Sequence, residues 1–171
     1  MTEALARAES LIRAIPDYPE PGVLFRDITP LLADAAALRA VIDAMIAPFE
    51  GQFDVVAGVE ARGFLLAGAA AMESGTGLIP IRKAGKLPRP AASVSYALEY
   101  GTATIEAHDD LTDDTRVLLV DDVLATGGTL VAAHRLVAEL GGTVVGTAVL
   151  MELEALGGRA AVGDVHAVFT A

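Results

Sequence analysis

The chain has no cysteine, no tryptophan, few aromatic residues (5%), and 12 basic side chains against 23 acidic ones. Without cysteine there is neither a disulfide framework nor a thiolate metal site, so stability must come from packing. A formal charge of −11 argues against nucleic acid as a partner, which requires a basic surface. No apolar run is long enough to span a bilayer, and the opening residues MTEALARAES lack a signal-peptide core, so no membrane partner and a cytoplasmic location are expected. What is present instead is 53% hydrophobic residues and 17 glycines in 171 residues. That suits one compact α/β domain over 1–171 and is short for two ordinary ones.

The most informative stretch runs from Arg116 to Leu130. Val117 to Val120 is a continuous apolar run, the pattern of a strand buried on both faces of a parallel sheet. Asp121 and Asp122 stand at its expected end, and Ala125-Thr126-Gly127-Gly128-Thr129 leads into a helical pattern. A strand end, a Gly-rich turn and a helix start together make an anion pocket of free backbone N–H groups, to which threonine hydroxyls add donors. Two acids beside such a cradle suit a ligand carrying both phosphate and vicinal hydroxyls, and sugar phosphate is the first expectation.

Around this stretch the pattern alternates. Apolar spacing predicts a helix over Glu3 to Ile15, then a stiff loop at Pro16 to Gly22 and a short segment at Val23 to Ile28. Thr29 is expected as an N-cap with Pro30 at the first helical position, and Ala35 to Phe49 as a second helix. Strands are predicted at Phe53 to Val59, Gly77 to Ile81, Val144 to Glu152 and, at an edge, Val165 to Phe169. Helices are predicted at Phe64 to Ser74 and Thr129 to Leu140. Ala92 to Ala107 reads as a β-hairpin lying above the sheet as an arm or lid. The expected architecture is a doubly wound, mainly parallel central sheet flanked by helices.

Ligands of such sheets sit at the carboxyl ends of the strands. Three loops carry chemistry there: Glu60-Ala61-Arg62-Gly63, Arg82 to Lys86, and Asp121 to Thr129. An arginine at a helix start opposes the dipole unless an anion is near. Arg82, Lys83 and Lys86 form the one basic cluster of an acidic chain. As bland alternatives, Arg62 could be a surface arginine, the basic run a solubilising patch, and Glu99 a hairpin-tip carboxylate. His108, His134 and His166 have no metal-ligand spacing. No Walker loop, dinucleotide fingerprint or nucleophile elbow occurs.

The segment VLLVDDVLATGGT, Val117 to Thr129, resembles the phosphoribosyl-pyrophosphate (PRPP) motif of the type I phosphoribosyltransferase family. Pro21 to Ile28, Glu60 to Phe64, Ile81 to Pro88, and Tyr96 with Leu98-Glu99-Tyr100-Gly101 resemble its adenine-specific branch. The resemblance implies transfer of the 5-phosphoribosyl group of PRPP to N9 of adenine, with Mg²⁺ carried mainly by the pyrophosphate. It implies the 5′-phosphate on Ala125, Thr126, Gly127, Gly128 and Thr129, and Asp121 and Asp122 facing the ribose hydroxyls. Arg62, Arg82, Lys83 and Lys86 would bind pyrophosphate, the basic loop serving the neighbouring subunit of a homodimer. Adenine would lie between Phe25 and Leu153, with Val23, Leu24 and Arg26 reading its edge and Glu99 engaging N7 as a proton-handling acid. Residues 1–34 would form a hood and 87–107 a lid. A non-proline cis peptide is expected at Glu60–Ala61. A phosphoribosyltransferase for another base (xanthine, orotate) and a non-catalytic PRPP sensor are the competing readings.

Overall fold

The structure, a computed structural model, describes residues 2–98 and 101–171. They group into two compact units, Met1–Ala44 and Met45–Ala171.

The first unit opens with α1 (Glu3–Ser10), capped by Thr2, whose hydroxyl accepts from the Leu5 N–H at 3.3 Å. The helix predicted to reach Ile15 stops at Ser10. Arg13–Pro16 is instead strand β1, antiparallel to β2 (Leu24–Asp27), with Ile15 opposite Phe25. Pro16 disfavours helical backbone at Ile15, and the nearby β2 supplies ladder partners that a periodicity argument does not see. Between the strands, the Tyr18–Pro19 peptide is cis and the Gly22 N–H donates to Asp17 Oδ1 at 2.7 Å. Thr29 is not the cap of the next helix but the first residue of α2 (Thr29–Leu32), and Asp27 Oδ1 accepts its N–H at 2.9 Å. Asp34 caps α3 (Ala35–Ile46) through the N–H groups of Ala36 and Ala37 and pairs with Arg7. The chain leaves the α-helical geometry at Ile46, and Ala47–Phe49 is a 3₁₀ turn containing Pro48.

The second unit contains β3 (Val55–Val59), α4 (Gly63–Ser74), β4 (Gly77–Lys83), β5 (Ala92–Leu98), β6 (Gly101–Ala107), β7 (Arg116–Leu124), α5 (Gly128–Glu139), β8 (Thr143–Glu152), α6 (Arg159–Val162) and β9 (His166–Thr170). They form a seven-stranded sheet in the order β5-β6-β4-β3-β7-β8-β9. Strands β4, β3, β7, β8 and β9 run parallel, and β6 and β5 are antiparallel additions at the β4 edge. The doubly wound sheet is as expected. From β3 the chain crosses through α4 to β4; from β7 it crosses through α5 to β8 in the opposite direction. The strand order therefore reverses between β3 and β7, which makes their carboxyl ends the topological switch point.

Each helix takes one face. Ala57 and Val59 of β3 and Val117 and Leu119 of β7 join a buried cluster with Leu130, Ala133 and Leu136 of α5. Gly58, the alternate residue of β3, lies against Ala67 of α4 instead. The hairpin is not an arm above the sheet. Its strand β6 continues the ladder from β4, with Arg82 opposite Glu106 and Lys83 opposite Ile105, and β5 packs against α5. Val94, Ile105 and Ala107 are buried, so detaching the hairpin would expose apolar surface. Among the described residues no helix is long and apolar enough to cross a membrane.

A Cβ at Gly58 would stand 2.6 Å from Ala67 Cβ and 3.1 Å from the Gly63 carbonyl oxygen. Gly58→Ala is therefore expected to push α4 off the sheet and destabilise the protein by about 2 kcal/mol, a fall in Tm of roughly 4–8 °C by calorimetry for a chain of this size.

Candidate active site

The switch point brings two of the three predicted loops together. After β3 the Glu60–Ala61 peptide is cis, as the resemblance implied, and Gly63 starts α4. A Cβ at Gly63 would lie 2.8 Å from Asp121 Oδ1 and 3.1 Å from the Val120 carbonyl oxygen. Only glycine lets the helix start so close to β7. That approach sets Arg62 beside the acids, its Nε 2.8 Å from Asp122 Oδ2.

Strand β7 does not end at Val120. It runs through both acids to Leu124, because β8 continues beside it and pairs Asp121 with Val149 and Val123 with Met151. Asp121 and Asp122 are consequently buried, not solvated. The Asp122 N–H donates to Asp121 Oδ1 at 2.8 Å. Burial foremost, then the adjacent Asp122 carboxylate, pushes the Asp121 carboxyl well above the usual carboxylate range.

Beyond Leu124 the predicted cradle forms. Gly127, at φ +86°, sits at the N-cap of α5, and among the described residues no side chain caps that end. The first N–H groups of a twelve-residue helix are thus available to an anion. The cradle has a floor that the sequence did not reveal. A Cβ at Gly158 would fall 2.2 Å from the Ala125 carbonyl oxygen, and one at Gly127 would fall 2.8 Å from the Gly158 carbonyl oxygen. The segment before α6 closes on the loop at glycine-only distances. The Gly157-Gly158 pair is the signal that could have pointed there. Thr129 Oγ1 donates to Tyr96 Oη at 3.1 Å, and a Cβ at Gly128 would meet the Tyr96 ring at 3.4 Å, so β5 rests on the cradle.

The third loop is basic but not bare. Lys86 Nζ reaches Glu60 Oε1 at 2.6 Å, while Arg82 Nε and the Lys83 N–H approach Glu60 Oε2 at 3.4 and 3.0 Å. These bonds, led by that from Lys86, hold the Glu60 carboxyl below the usual carboxylate range. Glu106 Oε1 accepts the N–H groups of Lys86 and Leu87 at 3.2 and 3.0 Å. Sequence reasoning missed both glutamates as organisers of this loop. A buried-side acid opposite Arg82 on the hairpin was the available clue.

The remaining predicted residues fall on other segments of the chain. Leu153 follows β8, and its N–H donates to the Leu124 carbonyl at 2.9 Å. Val23 and Leu24 are exposed in the first unit, and Phe25 and Arg26 are half-buried on β2, where the Phe25 ring meets Tyr18 edge-on at 5.1 Å. Glu99 lies outside the described residues. His134 is a structural histidine, bonded to Thr147 at 2.8 Å and with its pKa lowered by burial. Among the described residues no group of three or more His, Asp or Glu side chains could hold a metal ion.

A family model of the phosphoribosyl transferase domain matches residues 27–165. The chain is 61% identical over 154 residues to an adenine phosphoribosyltransferase of Renibacterium salmoninarum, covering 90% of this chain and 85% of that protein. It is similar to the crystal structure of an adenine phosphoribosyltransferase from Rhodothermus marinus, with a TM-score of 0.92, 47% identity and 98% of each chain covered. It is also similar to the Giardia lamblia enzyme complexed with 9-deazaadenine, with a TM-score of 0.93, 40% identity and 99% of each chain covered.

The raised Asp121 carboxyl gives a signed expectation. The folded protein binds this proton more tightly than the unfolded chain, so the associated stability is present at low pH and is lost as pH rises from the ordinary carboxylate range through the raised value. Asp121→Asn keeps the acceptor for the Asp122 N–H and removes the buried charge. Its Tm is expected to exceed that of the unsubstituted protein at about pH 8, by a margin that shrinks towards about pH 5. Equal margins at both pH values in a thermal-shift series would contradict the burial account.

Proposed function

The chain belongs to the phosphoribosyltransferase family, and from that premise we propose that it transfers the 5-phosphoribosyl group of PRPP to N9 of adenine, releasing pyrophosphate and forming AMP. The observation that carries this reading is the pair of buried carboxylates, Asp121 and Asp122, beside the uncapped start of α5. An identity of 61% over nine-tenths of the chain with a protein named for adenine supports the choice of base.

The 5′-phosphate docks on the N–H groups and hydroxyls of Ala125, Thr126, Gly127, Gly128 and Thr129, where the helix dipole favours an anion. Asp121 and Asp122 then face the ribose hydroxyls. As the bond from C1′ to pyrophosphate stretches, positive charge grows on the ribose, and the Asp122 carboxylate, held by Arg62, lowers that state more than the ground state. The Asp121 carboxyl, driven towards its protonated form, hydrogen-bonds the ribose hydroxyls. The carboxylates are held in place before the substrate arrives, so little reorganisation accompanies the step. Arg62, Arg82, Lys83 and Lys86 receive the negative charge that moves onto the leaving pyrophosphate. Mg²⁺ suits this site as a companion of the phosphates: hard oxygen donors are present, but no three-carboxylate cage exists among the described residues. When bound, it neutralises charge on the pyrophosphate. Adenine contacts are assigned to Val23, Leu24, Phe25, Arg26 and Leu153, and Glu99 handles the proton at N7. The enzyme works in the cytoplasm, without nucleic acid or membrane as partner.

A homodimer completes this reading. Leu65 and Met72 of α4 are 57% and 84% exposed, and Leu78 of β4 is 44% exposed. Leu65 and Met72 are seven residues apart and share a helix face, and Leu78 reaches within 3.9 Å of where a Gly68 side chain would begin. An apolar patch of this kind suits a second copy of the chain. It also adjoins the strand that leads into the basic loop, which supports a loop shared across the interface.

Two experiments test these assignments. Pyrophosphate release should be observed with PRPP, Mg²⁺ and adenine, and not with guanine, hypoxanthine, xanthine or orotate. Release with hypoxanthine but not adenine would overturn the base, and an absence of release with every one of the five bases would favour a PRPP sensor. Met72→Glu is expected to shift the protein from dimer to monomer in sedimentation velocity and to lower turnover with it. A fully active monomer would exclude the shared loop.

A further inference from the structure

We propose that Glu60 is a positioning residue acting as a latch for the basic loop: it holds Lys86 and Arg82 within their own chain and surrenders them to pyrophosphate. This rests on the reading of Arg82 to Lys86 as a pyrophosphate-binding loop.

The geometry separates what is fixed from what can leave. The Glu60 side chain is only 8% exposed and sits at the end of a core strand, whereas its partners Arg82 and Lys86 are 33% and 51% exposed. The carboxylate is therefore anchored from inside and the cations reach it from outside. When the cations depart, the Lys83 N–H still satisfies Glu60 Oε2. The loop backbone need not move either. Glu106 holds the N–H groups of Lys86 and Leu87, and Arg82 Nη1 donates to the Lys86 carbonyl at 3.0 Å. Exchange then requires only a change of side-chain rotamer at Lys86 and a shift of the Arg82 guanidinium, motions that are fast on the scale of turnover.

The same arrangement occurs on the other side of Ala61. Arg62 is placed on Asp122 as Lys86 is placed on Glu60. Each of these cations rests on a carboxylate of its own chain, so an arriving anion must compete for it. Half-exposed ion pairs are weak, worth a few-fold in an equilibrium constant. A latch of that strength keeps the cations in place without blocking the anion.

Titration calorimetry of the full chain with pyrophosphate in the presence of Mg²⁺ tests this. Glu60→Gln keeps the shape and an acceptor oxygen but removes the charge that retains Lys86. It should tighten pyrophosphate binding by roughly two- to fivefold, lower the KM for PRPP by a similar factor and leave kcat unchanged or reduced. In a Lys86→Met background the gain from Glu60→Gln should largely vanish, because the cation that the latch releases is gone. Unchanged or weaker binding in Glu60→Gln would overturn the latch, as would an undiminished gain in the Lys86→Met background. If Glu60→Gln does not fold, Glu60→Asp keeps the charge and shortens its reach by one methylene. It should shift affinity in the same direction, and weaker binding there counts equally against the latch. An unsubstituted protein that binds no pyrophosphate would instead overturn the reading of the loop itself, a distinct failure.

Discussion

Two neighbouring carboxylates buried in the central strand of a parallel sheet set the terms for this protein. Removing carboxylates from water costs several kcal/mol each unless hydrogen bonds, a counter-charge or a proton compensates. All three compensations are present. The Asp122 N–H binds Asp121, Arg62 pairs with Asp122, and the Asp121 carboxyl is driven towards its protonated form. Apolar residues would stabilise the strand better, so the acids are retained at a cost in stability that a ligand-binding role explains. Arg62 is drawn into the centre of the sheet edge by that constraint, and its position follows from electrostatics more than from the loop's own preference.

The second requirement is close approach of backbones. Asp121 can meet the start of α4 only because Gly63 has no side chain, and Ala125 can meet the segment before α6 only because Gly158 has none. α6 is too short to be stable alone, and its position is secured by Arg159. That residue binds the Val165 carbonyl at 2.7 Å and the buried Glu152 carboxylate. The cradle is thus a junction of β7, α5 and the chain before β9. A rigid junction of this kind presents N–H groups to a phosphate without further ordering.

These features differ in how far the sequence disclosed them. The apolar run Val117 to Val120, the Gly-rich turn and the strand–helix alternation each carry a local signature, and the doubly wound sheet and the cradle could be read from them. The extension of β7 through Asp121 and Asp122 could not, since two acids read as a strand end until β8 is seen to supply their ladder partners. Arg13–Pro16 carries helical periodicity yet forms a strand because β2 lies opposite. The hairpin pattern suggests strands standing above the sheet, whereas β6 continues the ladder from β4 and the burial of Val94 and Ile105 ties both strands into it. Glu60 gave no signal, because its role depends on cations more than twenty residues away that only the β3–β4 pairing brings to it.

An acidic chain that binds a polyanion faces repulsion at long range, and the pairing of its cations bears on that conflict. Clustering Arg82, Lys83 and Lys86 beside a free cradle would create strong cation–cation repulsion in the substrate-free protein. Placing Arg82 and Lys86 on Glu60, and Arg62 on Asp122, offsets part of that positive charge until a ligand arrives. Little positive field then extends beyond a Debye length, so the site gains little from electrostatic steering. Recognition must come from short-range exchange, in which phosphate oxygens take over donors already held in place. Selectivity follows from the same exchange, since a monovalent anion replaces one carboxylate contact with another, whereas a pyrophosphate group carries enough charge and oxygen atoms to engage several cations at once.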